Sequence, residues 1–188
     1  GVKCPTVVDT VKVIVNPKPN PIITGAVTEI CINDAIYLPF MVTGGSGVYT
    51  DTTWLTSDVT TATVAADGLI TGVNNGFVGI RAVVTDTNGC KDTSNTHTII
   101  ILTLPTAGAI TGANQVCLGD SITLTANPSG GNGGNSIAWL VTDGTGSAAI
   151  NASGVLHPIN TGTVAVSYAV VDNKTCSAIS TDFTVTID

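Results

Sequence analysis

The chain has 188 residues, a formal net charge of −7 and only six lysine and arginine residues. This shortage of positive charge argues against nucleic acid and against anionic lipid as partners, because both are bound through basic surfaces. Glycine, valine and threonine are frequent and no apolar run is long enough for membrane insertion, so a folded all-β protein is predicted.

A repeat of 86 residues organises the sequence. This distance separates Cys4, Cys90 and Cys176, and it also separates Cys31 from Cys117. Neighbouring glycines, aspartates and apolar positions keep the same register. Such a repeat predicts consecutive copies of one structural unit that pack against each other in the order of the chain.

The repeat register divides the chain into three parts. Residues 20–104 and 105–188 are each predicted to be a complete unit, and residues 1–19 to be the last strands of a preceding repeat. Short proline-bearing segments, N-P-K-P-N-P and L-T-L-P-T, lie at the boundaries. They predict semi-rigid joints between the units.

Within the first unit, short strands follow each other along the chain. An apolar strand over residues 36–42 leads to the turn G-G-S-G, a strand with Trp54, and short strands around Val64 and Leu69. Residues 77–85 alternate, so the even-numbered positions from 78 to 84 are expected to be buried. The Asn-Gly of D-T-N-G then makes a tight turn. About seven strands and one buried tryptophan predict an immunoglobulin-like Greek-key β-sandwich.

Residues 54–80, W-L-T-S-D-V-T-T-A-T-V-A-A-D-G-L-I-T-G-V-N-N-G-F-V-G-I, resemble the signature of bacterial group 2 immunoglobulin-like repeats. The stretch V-C-L-G-D-S-I-T-L-T-A with the later K-T-C is similar to cysteine-bearing Ig-like and PKD-like repeats of large Bacteroidota surface proteins. These include gliding adhesins of the SprB type, which the type IX system exports. The second unit departs from the signature, since V-L-H-P stands where V-T-G is usual.

The resemblance implies tandem, head-to-tail sandwiches in a non-catalytic stalk of a long adhesin or filament on the bacterial cell surface. The implied partners are the neighbouring repeats of the same chain. The alternative is a binding module for a glycan or a protein. In one form of this alternative, the module is an accessory domain of a secreted enzyme. Its candidate loop is the glycine-rich segment P-S-G-G-N-G-G-N, residues 128–135.

The glycine-rich stretch 62–80 has two interpretations, a loop that cradles a ligand or a strand-turn-strand segment. The second unit has Pro158 in place of Gly72. A phosphate-binding loop needs its backbone N–H groups, and proline lacks one. Strands and turns are therefore predicted, and no cofactor is expected.

The cysteines admit two pairings. The intra-domain bonds Cys31–Cys90 and Cys117–Cys176 would close loops of about 60 residues, each worth roughly 4 kcal/mol. The inferred strand order instead places Cys31 and Cys90 at opposite poles, roughly 20 Å apart and beyond disulfide reach. It favours an inter-domain bond between Cys31 and Cys176. Cys4, Cys90 and Cys117 would then have partners in absent or neighbouring units, with the partner of Cys4 outside the chain. Both pairings stay open, and either implies an oxidising, extracellular setting.

Few residues are candidates for a catalytic or metal-binding site. His97 and His157 lie in different repeats without suitably spaced partners, and Glu29 is the only glutamate, so no enzyme is predicted. The cysteine spacing is not that of a zinc site. Asp86 and Asp172 lie in polar turns near a pole of each unit and are candidate calcium ligands, although neither turn has the residue order of a dedicated calcium loop. The default interpretation is a metal-free turn that each aspartate caps by accepting from nearby backbone amides.

Three Asp-Thr/Ser triplets resemble the O-glycosylation acceptors of Bacteroidota proteins. They imply sugar on Thr10 in D-T-V, on Ser121 in D-S-I, and on Thr52 in the looser D-T-T. Ordinary hydroxyl side chains at strand edges are the alternative for all three positions.

Overall fold

The structure is a computed structural model that describes residues 1, 3–5 and 8–188. These residues form twenty β-strands and no helix, so the predicted all-β fold is confirmed. No helix of the described part is long and apolar enough to cross a membrane.

The first ten strands form one sandwich. They are β1 Pro19–Ile23, β2 Glu29–Cys31, β3 Ala35–Tyr37, β4 Phe40–Gly44, β5 Tyr49–Thr56, β6 Ala62–Val64, β7 Leu69–Gly72, β8 Gly76–Asp86, β9 Lys91–Thr93 and β10 His97–Leu102. One layer has the order β2-β10-β8-β5, with β9 also paired to β8. The opposite layer consists of β1 with β4 and of β3-β7-β6.

The last ten strands repeat this arrangement. They are β11 Pro105–Thr106, β12 Gln115–Val116, β13 Ile122–Thr123, β14 Ser129–Gly130, β15 Ser136–Asp143, β16 Ser147–Ile150, β17 Val155–Asn160, β18 Gly162–Val171, β19 Ser177–Ile179 and β20 Phe183–Ile187. Their layers are β12-β20-β18-β15 with β19 on β18, and β11-β14 with β13-β17-β16.

The strand order is that of an immunoglobulin-like sandwich. Strands β5, β8 and β10 correspond to C, F and G, and β1, β3 with β4, β6 and β7 correspond to A, B, D and E. The short strand β2 runs parallel to β10, while the other pairs of this half are antiparallel. The predicted immunoglobulin-like fold is confirmed by these pairings.

Each half has its own apolar core between its two layers. In the first half, the even-numbered positions 78 to 84 of β8 are buried, as the alternation predicted. Trp54 packs against Phe40 with ring centroids 5.1 Å apart, and Trp139 packs against Tyr168 at 5.5 Å. Such tilted aromatic pairs contribute about 0.5–1.5 kcal/mol beyond their buried area.

The predicted strand over residues 36–42 is split in two. Strand β3 pairs with β7, whereas β4 pairs with β1, and Pro39 lies between them. Proline has no N–H to donate to a ladder, so the chain leaves one neighbour at this residue and joins the other. The Pro39 carbonyl accepts a hydrogen bond from Thr24 N at 2.9 Å.

The glycine-rich stretch 62–80 is strand-turn-strand, as predicted: β6, β7 and β8 follow each other within it. Gly68 has φ +90°, and a Cβ there would lie 2.7 Å from the Trp54 ring, so glycine is required by both backbone and packing. Gly72 has little room for a side chain, since a Cβ there would lie 2.9 Å from the Cys31 carbonyl oxygen.

Residues 1–19 are predicted to be the last strands of a preceding repeat, and among the described residues no strand is assigned before Pro19. Residues 8–18 are exposed and have no assigned strand, and the first strand, β1, begins at Pro19. The alternating valines of this segment have no sheet partner among the described residues to pair with. Membership of this segment in a preceding repeat stays a prediction, as do the boundaries 20–104 and 105–188.

Candidate functional site

The most distinctive site lies where the two sandwiches meet, and we call it the joint. Cys31 ends β2 of the first sandwich, and Cys176 follows the turn after β18 of the second. The structure joins them in a disulfide with a Cα–Cα distance of 5.7 Å, across 145 residues of sequence. The intra-domain alternative is not formed, because Cys90 and Cys117 are free thiols.

Apolar side chains enclose the disulfide. Cys31, Leu102 and Cys176 are buried together, and Ile100 and Leu104 pack against them. Leu102 is the last residue of β10 and pairs with Cys31 in the parallel ladder. Because β11 begins at Pro105, only two residues separate the sheets of the two sandwiches. The bond therefore lies beside the peptide connection and reinforces it.

Polar contacts also cross the joint. Lys174 Nζ lies 2.7 Å from Glu29 Oε2, with both side chains partly exposed, so this ion pair contributes at most about 1 kcal/mol. Asn132 Nδ2 donates a hydrogen bond to the Thr103 carbonyl in the connection, at 2.8 Å. These contacts fix the orientation of the turn that carries Cys176.

A buried carboxylate shapes that turn. Asp172 Oδ1 accepts hydrogen bonds from the backbone N–H groups of Lys174 at 2.8 Å and Cys176 at 3.0 Å. Its Oδ2 accepts from the backbone and side chain of Asn132 at 2.8 and 2.7 Å. Burial by itself would raise the pKa of Asp172, but these hydrogen bonds prevail and lower it. An ionised carboxylate thus holds Cys176 in place.

A buried aspartate organises a cysteine-bearing turn in the first sandwich in the same way, at the end that lies away from the joint. Asp86 is buried, and its Oδ1 accepts from the backbone N–H groups of Asn88 at 3.0 Å and Cys90 at 2.9 Å. Its Oδ2 accepts from Ser46 N at 2.9 Å. The Cys90 turn is therefore organised like the Cys176 turn although Cys90 has no disulfide partner.

These contacts do not fit calcium at Asp86 or Asp172. In each carboxylate, one oxygen accepts two backbone N–H groups and the other accepts at least one, so few lone pairs face a cation. Calcium requires six to eight oxygen ligands. The described residues contain no group of three His, Cys, Asp or Glu side chains arranged to hold a metal.

The other candidate residues lie away from the joint. His97 Nε2 is 2.6 Å from the Val27 carbonyl oxygen, a contact that ties β10 to the loop before β2. His157 is exposed on β17. The two histidines lie apart from each other. His157 lines an open groove with Cys117, Asp120 and Asp188, but among the described residues no hydrogen bond joins its ring to any of these side chains. The arrangement is suited to holding units in a fixed relation, and it presents no catalytic constellation among the described residues.

The three glycosylation candidates are on accessible or partly accessible positions. Thr10 and Ser121 are exposed, and Thr52 is half-buried within β5. Accessibility is necessary for modification but does not establish it, so sugar at these positions stays a prediction.

The candidate binding loop 128–135 is engaged with the second sandwich and the joint. Besides the contacts of Asn132, the Gly133 carbonyl accepts a hydrogen bond from Asn173 N at 2.8 Å. A Cβ on Gly134 would overlap the Asn173 side chain. The glycines of this loop thus permit close packing against the Cys176 turn.

Sequence reasoning missed the contacts between distant polar residues. The repeat register aligned Asp86 with Asp172 and offered them either as calcium candidates or as carboxylates that cap turns through backbone amides, but nothing marked Asn132 as part of the joint. Glu29 is the only glutamate in the sequence, and this was a signal that it makes a specific contact. The sequence did not indicate its partner, because Lys174 is 145 residues away.

No protein-family model and no curated protein matches the chain. Similar solved structures include the D00-D0 domain of intimin, 14% identical with a TM-score of 0.34, aligned over 89% of this chain and 98% of that one. Fibronectin(III)-like modules of Clostridium thermocellum CbhA are 18% identical with a TM-score of 0.41 over 87% and 90% of the chains. The N-terminal eight Ig domains of Down syndrome cell adhesion molecule are 14% identical with a TM-score of 0.47 over 90% and 24%. The immunoglobulin-like assignment rests on the strand order of the chain itself.

Proposed function

We propose that this chain is a non-catalytic stalk segment of an extracellular protein, in which two immunoglobulin-like units are stapled end to end and transmit mechanical load. The Cys31–Cys176 disulfide carries this proposal, because it connects two sandwiches that each have their own core. A bond inside one sandwich would stabilise that unit alone. A bond between units fixes their relation and gives force a covalent route past most of the chain.

The disulfide shortens the path of tension. A force applied to the two chain ends passes through residues before Cys31, the sulfur atoms, and residues after Cys176. The chain between the two cysteines, whose sequence separation is 145, then bears little of the load. In the chain-entropy treatment, closing a loop of this length is also worth about 5 kcal/mol when both units unfold together.

The proposed setting is the outside of a bacterial cell. Structural disulfides persist in oxidising compartments, which supports an extracellular location. On the resemblance of residues 54–80, we further propose that the stalk belongs to a large Bacteroidota surface adhesin of the gliding type exported by the type IX system. Surface labelling of intact cells with an antibody against this chain, and loss of the label on protease shaving, would test the location.

The rigidity of the joint tests the function. We expect nitrogen-15 relaxation of the oxidised chain to give both sandwiches one shared rotational correlation time. The Cys31→Ser, Cys176→Ser double variant should show a measurable loss of this coupling, while the Cys90→Ser, Cys117→Ser variant serves as the matched control. Independent tumbling of the two sandwiches with the disulfide intact would overturn the proposed function.

The binding-module alternative has less support. Its candidate loop 128–135 is occupied with contacts to the Cys176 turn, and the exposed aromatic rings Tyr37 and Phe77 lie on different sheets. Glycan recognition generally uses neighbouring exposed rings as a stacking platform. A glycan array probed with the oxidised chain is expected to give no specific signal.

A further inference from the structure

A small groove lies beside the disulfide of the joint. Its volume is about 260 Å³, and both cysteines line it together with residues 32–34, Leu104, Thr175 and Ser177. Cys31 keeps 7% of its surface exposed, whereas Cys176 keeps 1%. The groove therefore gives small molecules access to the disulfide from the side of Cys31.

The backbone beside this groove is strained. Of the described residues other than glycine, only Asn33, with φ +71°, and Thr175, with φ +67°, have a positive φ. Both line the groove. A positive φ brings Cβ close to the following carbonyl oxygen, which asparagine tolerates and a β-branched residue such as threonine tolerates poorly. The larger share of the strain therefore lies at Thr175, next to Cys176.

The corresponding turns elsewhere in the chain do not carry this strain. In the 86-residue register, Gly89 stands in the place of Thr175 and Gly119 in the place of Asn33. Both glycines also have positive φ, +76° and +99°. Their neighbouring cysteines are free thiols. The same backbone shape is thus built with glycine at the free cysteines and with strained residues at the disulfide.

The turn holds Thr175 in this conformation from two sides. Thr175 N donates a hydrogen bond to the Asp172 carbonyl at 3.0 Å, and Cys176 N donates to Asp172 Oδ1 at 3.0 Å. The disulfide to Cys31 fixes the other side of Cys176. Reduction removes that second constraint and lets the turn relax. Disulfides that hold a strained conformation are easier to reduce than unstrained ones.

We propose that the joint is a redox latch: a thiol enters the groove and attacks Cys31, and the released Cys176 turn relaxes at Thr175. The inference rests on the proposed function, because opening the latch turns a stapled stalk segment into two units that are joined covalently by the peptide chain alone.

The exchange proceeds in two steps. An external thiolate attacks Cys31 Sγ and forms a mixed disulfide there, while the Cys31–Cys176 bond breaks and Cys176 leaves as a thiolate. Asn132 Nδ2, 3.8 Å from Cys176 Sγ, donates a hydrogen bond to this leaving sulfur. A second external thiolate then attacks the external sulfur of the mixed disulfide and releases Cys31. Two external thiols are oxidised to one disulfide, and their two protons end on the two protein thiols.

The charge at the groove selects the thiol. Asp34 lines the groove with an exposed side chain, and its Oδ2 accepts a hydrogen bond from Cys31 N at 3.3 Å. The other charges at the surface of the joint, Glu29 and Lys174, offset each other as an ion pair. An excess of negative charge therefore faces the incoming group, and it favours neutral and cationic thiols over anionic ones.

A redox equilibrium tests the role of the strain. The background for all variants has serine at the three free cysteines, Cys4, Cys90 and Cys117. The chain is equilibrated in glutathione buffers, and alkylation with mass spectrometry gives the ratio of disulfide to dithiol. Thr175→Gly should raise this ratio about three- to tenfold, and Asn33→Gly should raise it less. Thr175→Asn should shift it in the same direction as Thr175→Gly, without the added flexibility of glycine.

The matched control is Gly89→Thr, which places the same residue at the same turn position away from the joint. It should leave the ratio unchanged even though it destabilises its own turn. A ratio that does not rise in Thr175→Gly, or that moves equally in Gly89→Thr, would overturn the inference.

Trapping identifies the sulfur that is attacked. The oxidised chain is exposed briefly to a thiol and then to iodoacetamide, which alkylates the released cysteine. Peptide maps should show the external thiol on Cys31 and the alkyl group on Cys176. After division by their rates with hydroxyethyl disulfide, cysteamine should react about two- to fivefold faster than mercaptopropionate, and Asp34→Asn should bring the two rates together. Adducts mainly on Cys176, or normalised rates that do not depend on charge, would contradict the proposed route.

Peptide maps of the untreated oxidised chain report on the proposed function separately. Absence of the Cys31–Cys176 peptide would defeat both the stalk and the latch. A chain that contains this peptide and whose sandwiches tumble as one, but whose redox ratio is the same in Thr175→Gly, retains the proposed stalk and loses the latch.

Discussion

The disulfide at the joint predicts how far the chain can be stretched. With the bond intact, Cys31 and Cys176 stay 5.7 Å apart at their Cα atoms, whatever happens to the residues between them. When the bond is absent, the chain between them, a sequence separation of 145, becomes extensible. At 3.3–3.6 Å per residue, the fully stretched length should increase by about 500 Å.

Single-molecule force spectroscopy measures this length directly. The chain is held by handles at its two ends and stretched until both sandwiches have unfolded, first oxidised and then with a reducing agent in the buffer. We expect contour lengths that differ by about 500 Å, and we expect Cys31→Ser to give the longer value without a reducing agent.

A control variant identifies the bond responsible. Cys90→Ser with Cys117→Ser should leave the difference unchanged, because neither thiol lies on the path of tension. Equal contour lengths in oxidising and reducing buffer would show that the two units are not stapled. A difference of only about 200 Å would instead indicate a bond that closes a loop of about 60 residues within one sandwich.

Three further predictions concern stability. Gly68→Ala should lower the free energy of unfolding by about 1–3 kcal/mol because its φ is +90°, and by more because the added methyl group would contact the tryptophan ring. Gly47→Ala is the control: its φ is +78° but the space around it is open, so it should show the backbone cost alone. Urea titrations measure both free energies of unfolding. Hydrogen bonds from neighbouring threonines lower the pKa of Asp58 from 3.8 to about 2, and those on Asp172 outweigh burial to lower its pKa too. The two ionised aspartates therefore stabilise the folded state fully above pH about 4, and this stabilisation is lost as the pH falls toward 2. The melting temperature should fall over this interval, and it should fall less steeply in the Asp58→Asn variant than in the unmodified chain. Because N–H donors engage Asp86 and Asp172, millimolar calcium or a chelator should leave the melting temperature unchanged, and a rise of several degrees with calcium would refute this.

Much of the fold could be predicted because it follows local rules. Alternation along β8 marked its buried face, since successive strand residues point to opposite sides. A glycine kept at the position of Gly68 in both repeats marked a turn, because positive φ favours glycine. Residues 36–42 were predicted as one strand, but they form two. Pro39 has no N–H, and the change of strand partner that this causes can be recognised only when the neighbouring strands are known.

The joint was harder to predict because its partners are far apart in sequence. Asp172 was singled out by its register, but its role depends on Asn132, which is 40 residues away and donates to it from backbone and side chain. A carboxylate in a polar turn looks the same in sequence whether it meets a cation or several N–H groups. Only the folded arrangement distinguishes the two.

The sequence by itself determined the repeat, the strands and the turns, because periodicity and backbone preference act over a few residues. It also indicated that Cys31 and Cys90 lie at opposite poles, yet it left two disulfide pairings open. Only the tertiary structure decided which sulfur atoms meet and which cysteines stay free. A disulfide needs Cα atoms within about 7 Å, and that proximity between two units is set by the packing at their joint.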